Sequence, residues 1–447
     1  MVFSSFTFVL LFLPLVLLLV RVLPAKGKLP FLLAVSLLFY GWGNPVWLPL
    51  LVYGILLNYF GGRWIGRCTS HRKTVLTLLI IANLIPLLYY KYAGLFTSTF
   101  TGITGIALSF EAPLLPAGIS FFTFQGLSYL VDVYRGKVGV QKSPIAFGVY
   151  LSLFPQLVAG PIVRYEDMEE QLNSLPSVSD QEMLNGLKRF TIGFAKKILL
   201  ADSMGRFCSL MQSDLTAAGF IGSWCYLIAF SFQIYFDFSG YSDMAIGLGR
   251  TMGFTWPENF RKPYRAASLT DFWRNWHITL TTWFKEYVYI PLGGSRKGVL
   301  RRDVNLLIVW ALTGLWHGAG WHFMLWGLYF GVLLILEKRI FQTRFYQRIP
   351  LFLKTIGTYF LVLIGWGIFT GCDASFLQAA LGGHGLISHQ ALLQVLSFLP
   401  TLLLCALAAF HKGIRLPAAK VVLPLLFILC LCVLAAQSYA PFVYFQF

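Results

Sequence analysis

The sequence predicts an all-α, polytopic integral membrane protein of about 11–12 transmembrane or re-entrant helices. Three observations predict it. Of the 447 residues, 57% are hydrophobic and only 12% charged, with a mean hydropathy of +0.69; soluble domains carry about 25% charged residues. Apolar runs long enough to cross a bilayer recur from one end of the chain to the other. The short loops between them collect the bases, 35 Lys and Arg against 18 Asp and Glu, for a net charge of +17. On a soluble chain that excess would suggest nucleic acid. Here it follows the positive-inside pattern of cytoplasmic loops, with anionic lipid as a secondary partner and no nucleic acid.

Taken in order, the candidate spans lie near 6–22, 29–43, 45–60, 75–91, 116–133, 145–163, 219–236, 304–316, 321–337, 355–370, 391–410 and 421–438. The first, Phe6–Val20, lacks a basic leader and runs into further spans, so it is read as a membrane helix rather than a cleaved signal. The sixth ends in FPQLVAGPIVR (154–164), where Gly160-Pro161 reads as a helix stop. The whole is one membrane domain, 1–447: N-terminal helices in 1–163, a core in 164–340 and C-terminal helices in 341–447. The core is less apolar, and its 257–303 stretch is rich in Arg, Trp and Tyr. Such a stretch suits the membrane interface or a re-entrant path, where irregular backbone is tolerated against protein. The final aromatic segment, Tyr439–Phe447, suits a partner or lipid headgroups, with lipid the simpler reading. No repeated halves of the kind many transporters show are visible.

The candidate chemistry sits in the core. ALTGLWHGAGWHFMLWG (311–327) places His317 and His322 among small, apolar and aromatic residues. A titratable group at bilayer depth is costly, so such a histidine is a functional-site hypothesis by default. The glycines around His317 allow close approach of a substrate or another backbone. A buried imidazole tends to stay neutral, and the neutral ring can accept a proton from a hydroxyl. The alternative is a histidine hydrogen-bonded within a bundle. His322 lies five residues on, about 140° around a helix from His317, which does not fit an i, i+4 metal pair and suits a structural role.

His277 lies in DFWRNWHITLTTWFKEYVYIP (271–291) with Asp271, Arg274, Asn275, Thr279, Thr281 and Thr282. That polar density beside Trp suits a polar cavity more than an interfacial aromatic belt. YFDFSGYSD (235–243) brings Asp237, Ser239 and Asp243 to the end of an apolar run, where acids suit a scaffold role bonded to a histidine or arginine. Arg250, Arg261, Arg265 and Arg274 could serve an anionic ligand, and as loop charges they equally fit the inside rule. The seven cysteines lack metal-ligand spacing, and no metal site is expected. No GxSxG elbow or P-loop is present.

Five of these stretches share a further property. FPQLVAGPIVRYEDM (154–168), YFDFSGYSDMAIGLGRTMGF (235–254), PENFRKPY (257–264), DFWRNWHITLTTWFKEYVYIPLGG (271–294) and GLWHGAGWHFMLWG (314–327) closely resemble the membrane-bound O-acyltransferase (MBOAT) family, within it the bacterial alginate O-acetylation branch. The opening MVFSSFTFVLLFLPLVLLL and PAGISFFTFQGLSYLVDVYRG (116–136) are similar too. The resemblance covers about residues 1–340, and the last hundred match only as further spans.

It implies a ring of tilted helices around a central funnel. It also implies His317 as the essential catalytic residue and His277 as an assisting or positioning one, and assigns His322 no role. The implied activity is O-acetyl transfer at the bacterial inner membrane. The implied donor is cytoplasmic acetyl-CoA, with no permanently bound cofactor. The acceptor would be an exported polysaccharide, alginate foremost, reached through a periplasmic or membrane-anchored partner acetyltransferase. Peptidoglycan, cellulose and the D-alanylation of teichoic acid remain alternatives within the family; a transporter or a non-catalytic scaffold subunit remains one outside it.

If the basic loops are cytoplasmic, both chain ends face outward and the 338–354 loop, with five Lys and Arg, faces inward. Reporter fusions should show a reporter in that loop active only as a cytoplasmic one; activity of an exported reporter there would refute the topology.

Overall fold

The computed structural model describes residues 3–43, 45–108, 110–111, 113–212, 218–341, 343–411 and 419–436. The loop bases Lys412 and Arg415 and the segment Tyr439–Phe447 lie outside the described residues. Among the described residues every regular element is helical, as the composition predicts. Among the described residues five helices are long and apolar enough to cross a membrane: Pro45–Arg67, Arg72–Thr104, Gly219–Thr251, Leu351–Phe369 and His389–Phe410. Thr7–Val22 and Lys420–Ala436 are shorter apolar helices.

The chain forms two compact units. One comprises Met1–Thr191 and Tyr241–Glu258, the other Ile192–Gly240 and Asn259–Phe447. Helix Gly219–Thr251 contributes to both; its 33 residues give a length of about 50 Å, beyond the ~30 Å hydrocarbon core.

The first unit is organised around helix Ile119–Arg135, which is buried on nearly every face. Neighbouring helices reach it through small residues. A methyl group added at Gly62 would lie 2.4 Å from the Tyr129 ring, and one at Gly126 would lie 2.5 Å from the Asn58 amide. Asn58 and Asn83, on helices Leu48–Arg67 and Arg72–Leu87, exchange amide hydrogen bonds of 2.9 and 3.1 Å. Each amide also donates to its own helix at 2.8 Å, so the reciprocal pair matters for the two amide oxygens, either of which would be buried without a donor if its partner were absent.

The expected span at 145–163 is not one helix. Pro144–Ser152 is followed by a break at Leu153, a single turn at Phe154–Leu157 and irregular backbone up to Arg164. Pro155 and Pro161 each lack an N–H to donate, so the helical ladder cannot run through. The broken stretch is buried throughout, the condition under which irregular backbone survives at membrane depth. Its Gln156 side chain donates to Tyr150 O at 2.5 Å.

The second unit is built on a helical hairpin, Val299–His317 and Trp321–Ile340, with Leu351–Phe369 packed against the second arm. The two arms touch backbone to backbone. A methyl group at Gly314 would lie 2.2 Å from Phe323 O, and one at Gly327 would lie 2.1 Å from Trp310 O. Only glycine permits that approach. In the same unit Lys197 is buried, its Nζ 2.7 Å from Asp202 and 2.8 Å from Asp237. Asp237 thus has the scaffold role expected of it, with a lysine as partner rather than a histidine or arginine. In the first unit Asp243 pairs with Arg189 at 2.9 Å, as expected of an acid bonded to an arginine.

Gly314→Ala and Gly327→Ala should each force the hairpin arms apart at a cost of about 1–3 kcal/mol. The check is thermal unfolding of the purified protein in lipid nanodiscs, with Gly357→Ala, where nothing lies within 4 Å, as the clash-free helix control, expected to be neutral or stabilising by up to about 1 kcal/mol.

Candidate active site

His277 and His317 come from different elements of the second unit and line one cavity of about 200 Å³. His317 is the last residue of helix Val299–His317. The chain turns through Gly318-Ala319-Gly320, with both glycines in extended backbone, and starts the next helix at Trp321. A methyl group at Gly318 would lie 2.0 Å from the Phe323 ring, so the glycine lets the hairpin close directly behind His317. The imidazole is held edge-to-face by Trp326 (5.0 Å between centroids) and Phe369 (5.4 Å) and is 7% exposed.

This geometry corrects the angular reading of His322. The two histidines do not share a helix, because the turn separates them. His322 is half-buried, packs on Phe323 at 4.1 Å and is not among the residues lining the cavity.

His277 sits in the joint between two short helices, Leu269–Asn275 and Ile278–Phe284. Its backbone is left-handed, with φ of 43°, a conformation shared among described non-glycine residues only by Lys262. Such backbone costs of order 1–3 kcal/mol and persists where surroundings enforce it, commonly at functional sites. The enforcing residue is Asn259, fully buried. Its carbonyl oxygen accepts from Ile278 N–H at 3.0 Å. Its side-chain Oδ1 lies 3.0 Å from His277 Nδ1 and accepts from Thr279 Oγ1 at 2.9 Å and Thr279 N at 3.3 Å. The His277 ring packs against Phe238 at 4.6 Å and tilts over Trp316 at 5.8 Å. His277 lies outside the helices long enough to span a membrane. Burial first, and the nearby His317 second, hold its imidazole well below the ordinary histidine value, so it is neutral near pH 7.

The preceding helix, Leu269–Asn275, is anchored from the hairpin. Glu337 accepts from Leu269 N–H at 2.5 Å and from Thr270 N–H at 3.0 Å, and from the Thr270 hydroxyl at 2.5 Å. The two N–H groups are first-turn donors that an isolated helix leaves unsatisfied, and a carboxylate there also suits the helix dipole. One side chain of the hairpin thus fixes the segment that delivers His277.

The polar density expected around His277 is only partly a cavity lining. Thr281 lines it with His277, while Thr279 is spent on Asn259 and Asp271 and Arg274 are exposed. Most of the wall is aromatic and aliphatic, including Trp273, Trp276, Phe284 and Trp310. Lys285 is the cation among the lining residues; Arg250, Arg261, Arg265 and Arg274 do not line it. Asn259 and Glu337 had no assigned role in the sequence. The available signals were an Asn beside an acid in PENFRKPY and one acid in the apolar helix 321–340. Among the described residues no cluster of His, Cys, Asp and Glu could hold a metal ion.

The model of the membrane-bound O-acyltransferase family matches residues 114–377, a stretch that contains both cavity histidines. The chain belongs to that family. It is 36% identical to "Probable alginate O-acetylase AlgI" of Pseudomonas putida, with both chains covered completely. It is 35% identical to the peptidoglycan O-acetyltransferase of Helicobacter pylori over 85% of this chain and 78% of that one. It is 27% identical to the teichoic acid D-alanyltransferase of Bacillus subtilis over 57% of this chain and 68% of that one. This protein is a multi-pass membrane acyltransferase.

Glu337→Ala should leave buried backbone donors of Leu269 and Thr270 unsatisfied and cost about 1–3 kcal/mol. Unfolding of the nanodisc-held protein checks it; an unchanged midpoint would show that the helix start finds other acceptors.

Proposed function

We propose that this acyltransferase takes acetyl from cytoplasmic acetyl-CoA and delivers it across the inner membrane for O-acetylation of an exported polysaccharide, alginate foremost. The observation that carries the reading is the meeting of His277 and His317 on one small, largely apolar cavity. In this reading the acceptor oxygen attacks the thioester carbonyl. A C–O bond forms and the C–S bond breaks. The hydroxyl proton passes to the His317 imidazole, which returns it to the departing thiolate; His277 assists as a neighbouring neutral base.

The cavity volume favours acetyl over long acyl chains. At about 200 Å³ it is smaller than the ~300–1,000 Å³ sites that enclose whole drug-sized ligands. It suits an acetyl group and an approaching hydroxyl, with the bulk of the coenzyme outside. Lys285 at the wall suits an anionic donor. The O-acetylating relatives match over more of the chain, at higher identity, than the D-alanylating one, which supports acetyl as the group moved. Coenzyme A is cytosolic and polymer hydroxyls lie outside, so the final transfer falls to a periplasmic or membrane-anchored partner acetyltransferase.

The test is the acetyl content of the exported polymer in cells carrying wild type, His317→Ala or His277→Ala at matched membrane levels. His317→Ala should abolish acetylation, and His277→Ala should reduce it by about 10²-fold or more, the range of a lost acid–base group. Acetylation that persists without His317 would refute the mechanism.

A further inference from the structure

The structure assigns Asn259 as the positioning residue that fixes His277 in a single tautomer, with the proton on Nδ1 and the basic lone pair on Nε2. The assignment turns on which atom of the Asn259 amide faces the histidine. An amide oxygen and nitrogen look alike in outline, and an imidazole nitrogen can donate or accept, so the 3.0 Å contact alone is ambiguous. A backbone N–H is not ambiguous. Thr279 N–H can only donate, and it points at the same amide atom from 3.3 Å. That atom is therefore the oxygen. An amide oxygen only accepts, so His277 Nδ1 must carry the hydrogen that bridges them. Neutral imidazole has one N–H, which leaves the lone pair on Nε2.

The amide cannot turn over without cost. Thr279 is the second residue of helix Ile278–Phe284, where backbone donors have no acceptor in their own helix. Asn259 supplies acceptors to the first two, its backbone oxygen to Ile278 and its side-chain oxygen to Thr279. Rotating the amide would set NH2 against N–H in a fully buried site and also break the 2.9 Å bond from Thr279 Oγ1 as a donor. The cap of the helix and the tautomer of the histidine are thus one interaction, and the left-handed backbone at His277 is held by the same residue.

The functional consequence rests on the reading of His277 as a base in acyl transfer: with Nδ1 committed to Asn259, the nitrogen left for proton transfer is Nε2. The test has a spectroscopic arm that does not depend on activity. Full-length protein labelled with ¹⁵N in its histidine rings is held in nanodiscs. The His277 signals are identified by their loss in His277→Gln, and ring couplings report which nitrogen carries hydrogen.

Wild type should show the Nδ1–H form. Asn259→Asp keeps the acceptor and adds a negative charge. It should keep hydrogen on Nδ1 and make His277 protonate at a higher pH than in wild type, because a nearby carboxylate favours imidazolium. Asn259→Leu should relax the ring into a tautomer mixture and lower polymer acetylation in cells by about 10-fold or more. Hydrogen on Nε2 in wild type, or an unchanged tautomer in Asn259→Leu, would overturn the assignment. If Asn259→Leu does not fold, the wild-type spectrum and the Asn259→Asp titration decide it alone. A tautomer shift in Asn259→Leu with full polymer acetylation would support the assignment and instead refute His277 as a base.

Discussion

The backbone contact between the arms of the hairpin Val299–His317 and Trp321–Ile340 is the constraint on which the candidate site depends. At Gly314 and Gly327 one arm lies so close to the other that a single methyl group would overlap a carbonyl oxygen. This closeness leaves His317 at the very end of its helix, facing Trp326 and Phe369 rather than lipid. It also makes the second arm a rigid mount for Glu337, whose carboxylate begins the short helix leading to His277. Both cavity histidines are therefore referenced to one hairpin, one through its end and the other through a cap. Sites held on packed elements keep their geometry better than sites on loops alone.

Desolvation explains the form of the remaining polar structure. Charges and amides withdrawn from water must be matched where they lie, since an unmatched one costs more than the bond it could make. Lys197 meets two carboxylates, Asn58 meets Asn83, and the Asn259 side chain serves a helix N–H and a histidine. In each case one polar side chain joins segments distant in sequence. These links specify register more than they add stability, since a buried ion pair recovers little beyond its own desolvation. The His277 segment is the extreme case, because its backbone is strained and its cap is supplied from eighteen residues away.

How much of this was legible in the sequence varies with the range of the interaction. The helical membrane class follows from apolar run length alone, because backbone in lipid must satisfy its own hydrogen bonds. The MBOAT resemblance, carried by residues such as those around His277 and His317, agreed with the family match over 114–377. The apolar run at 145–163 misled, since hydropathy records burial and not whether prolines let a ladder continue. The angular offset reckoned for His322 holds only on a helix, and the turn at Gly318–Gly320 separates it from His317.

By itself the sequence determined that the chain is a polytopic helical membrane protein, which stretches carry titratable groups among apolar ones, and the family it resembles. Those properties are local: run length, hydropathy and short motifs. Only the tertiary structure decided that His277 and His317 line one cavity, that His322 does not, and that Asn259 and Glu337 hold the segment between them. Those relations join residues 18 to 68 positions apart. The side chains involved are ordinary in composition, and their partners are set by helix ends left unsatisfied after packing rather than by any pattern along the chain.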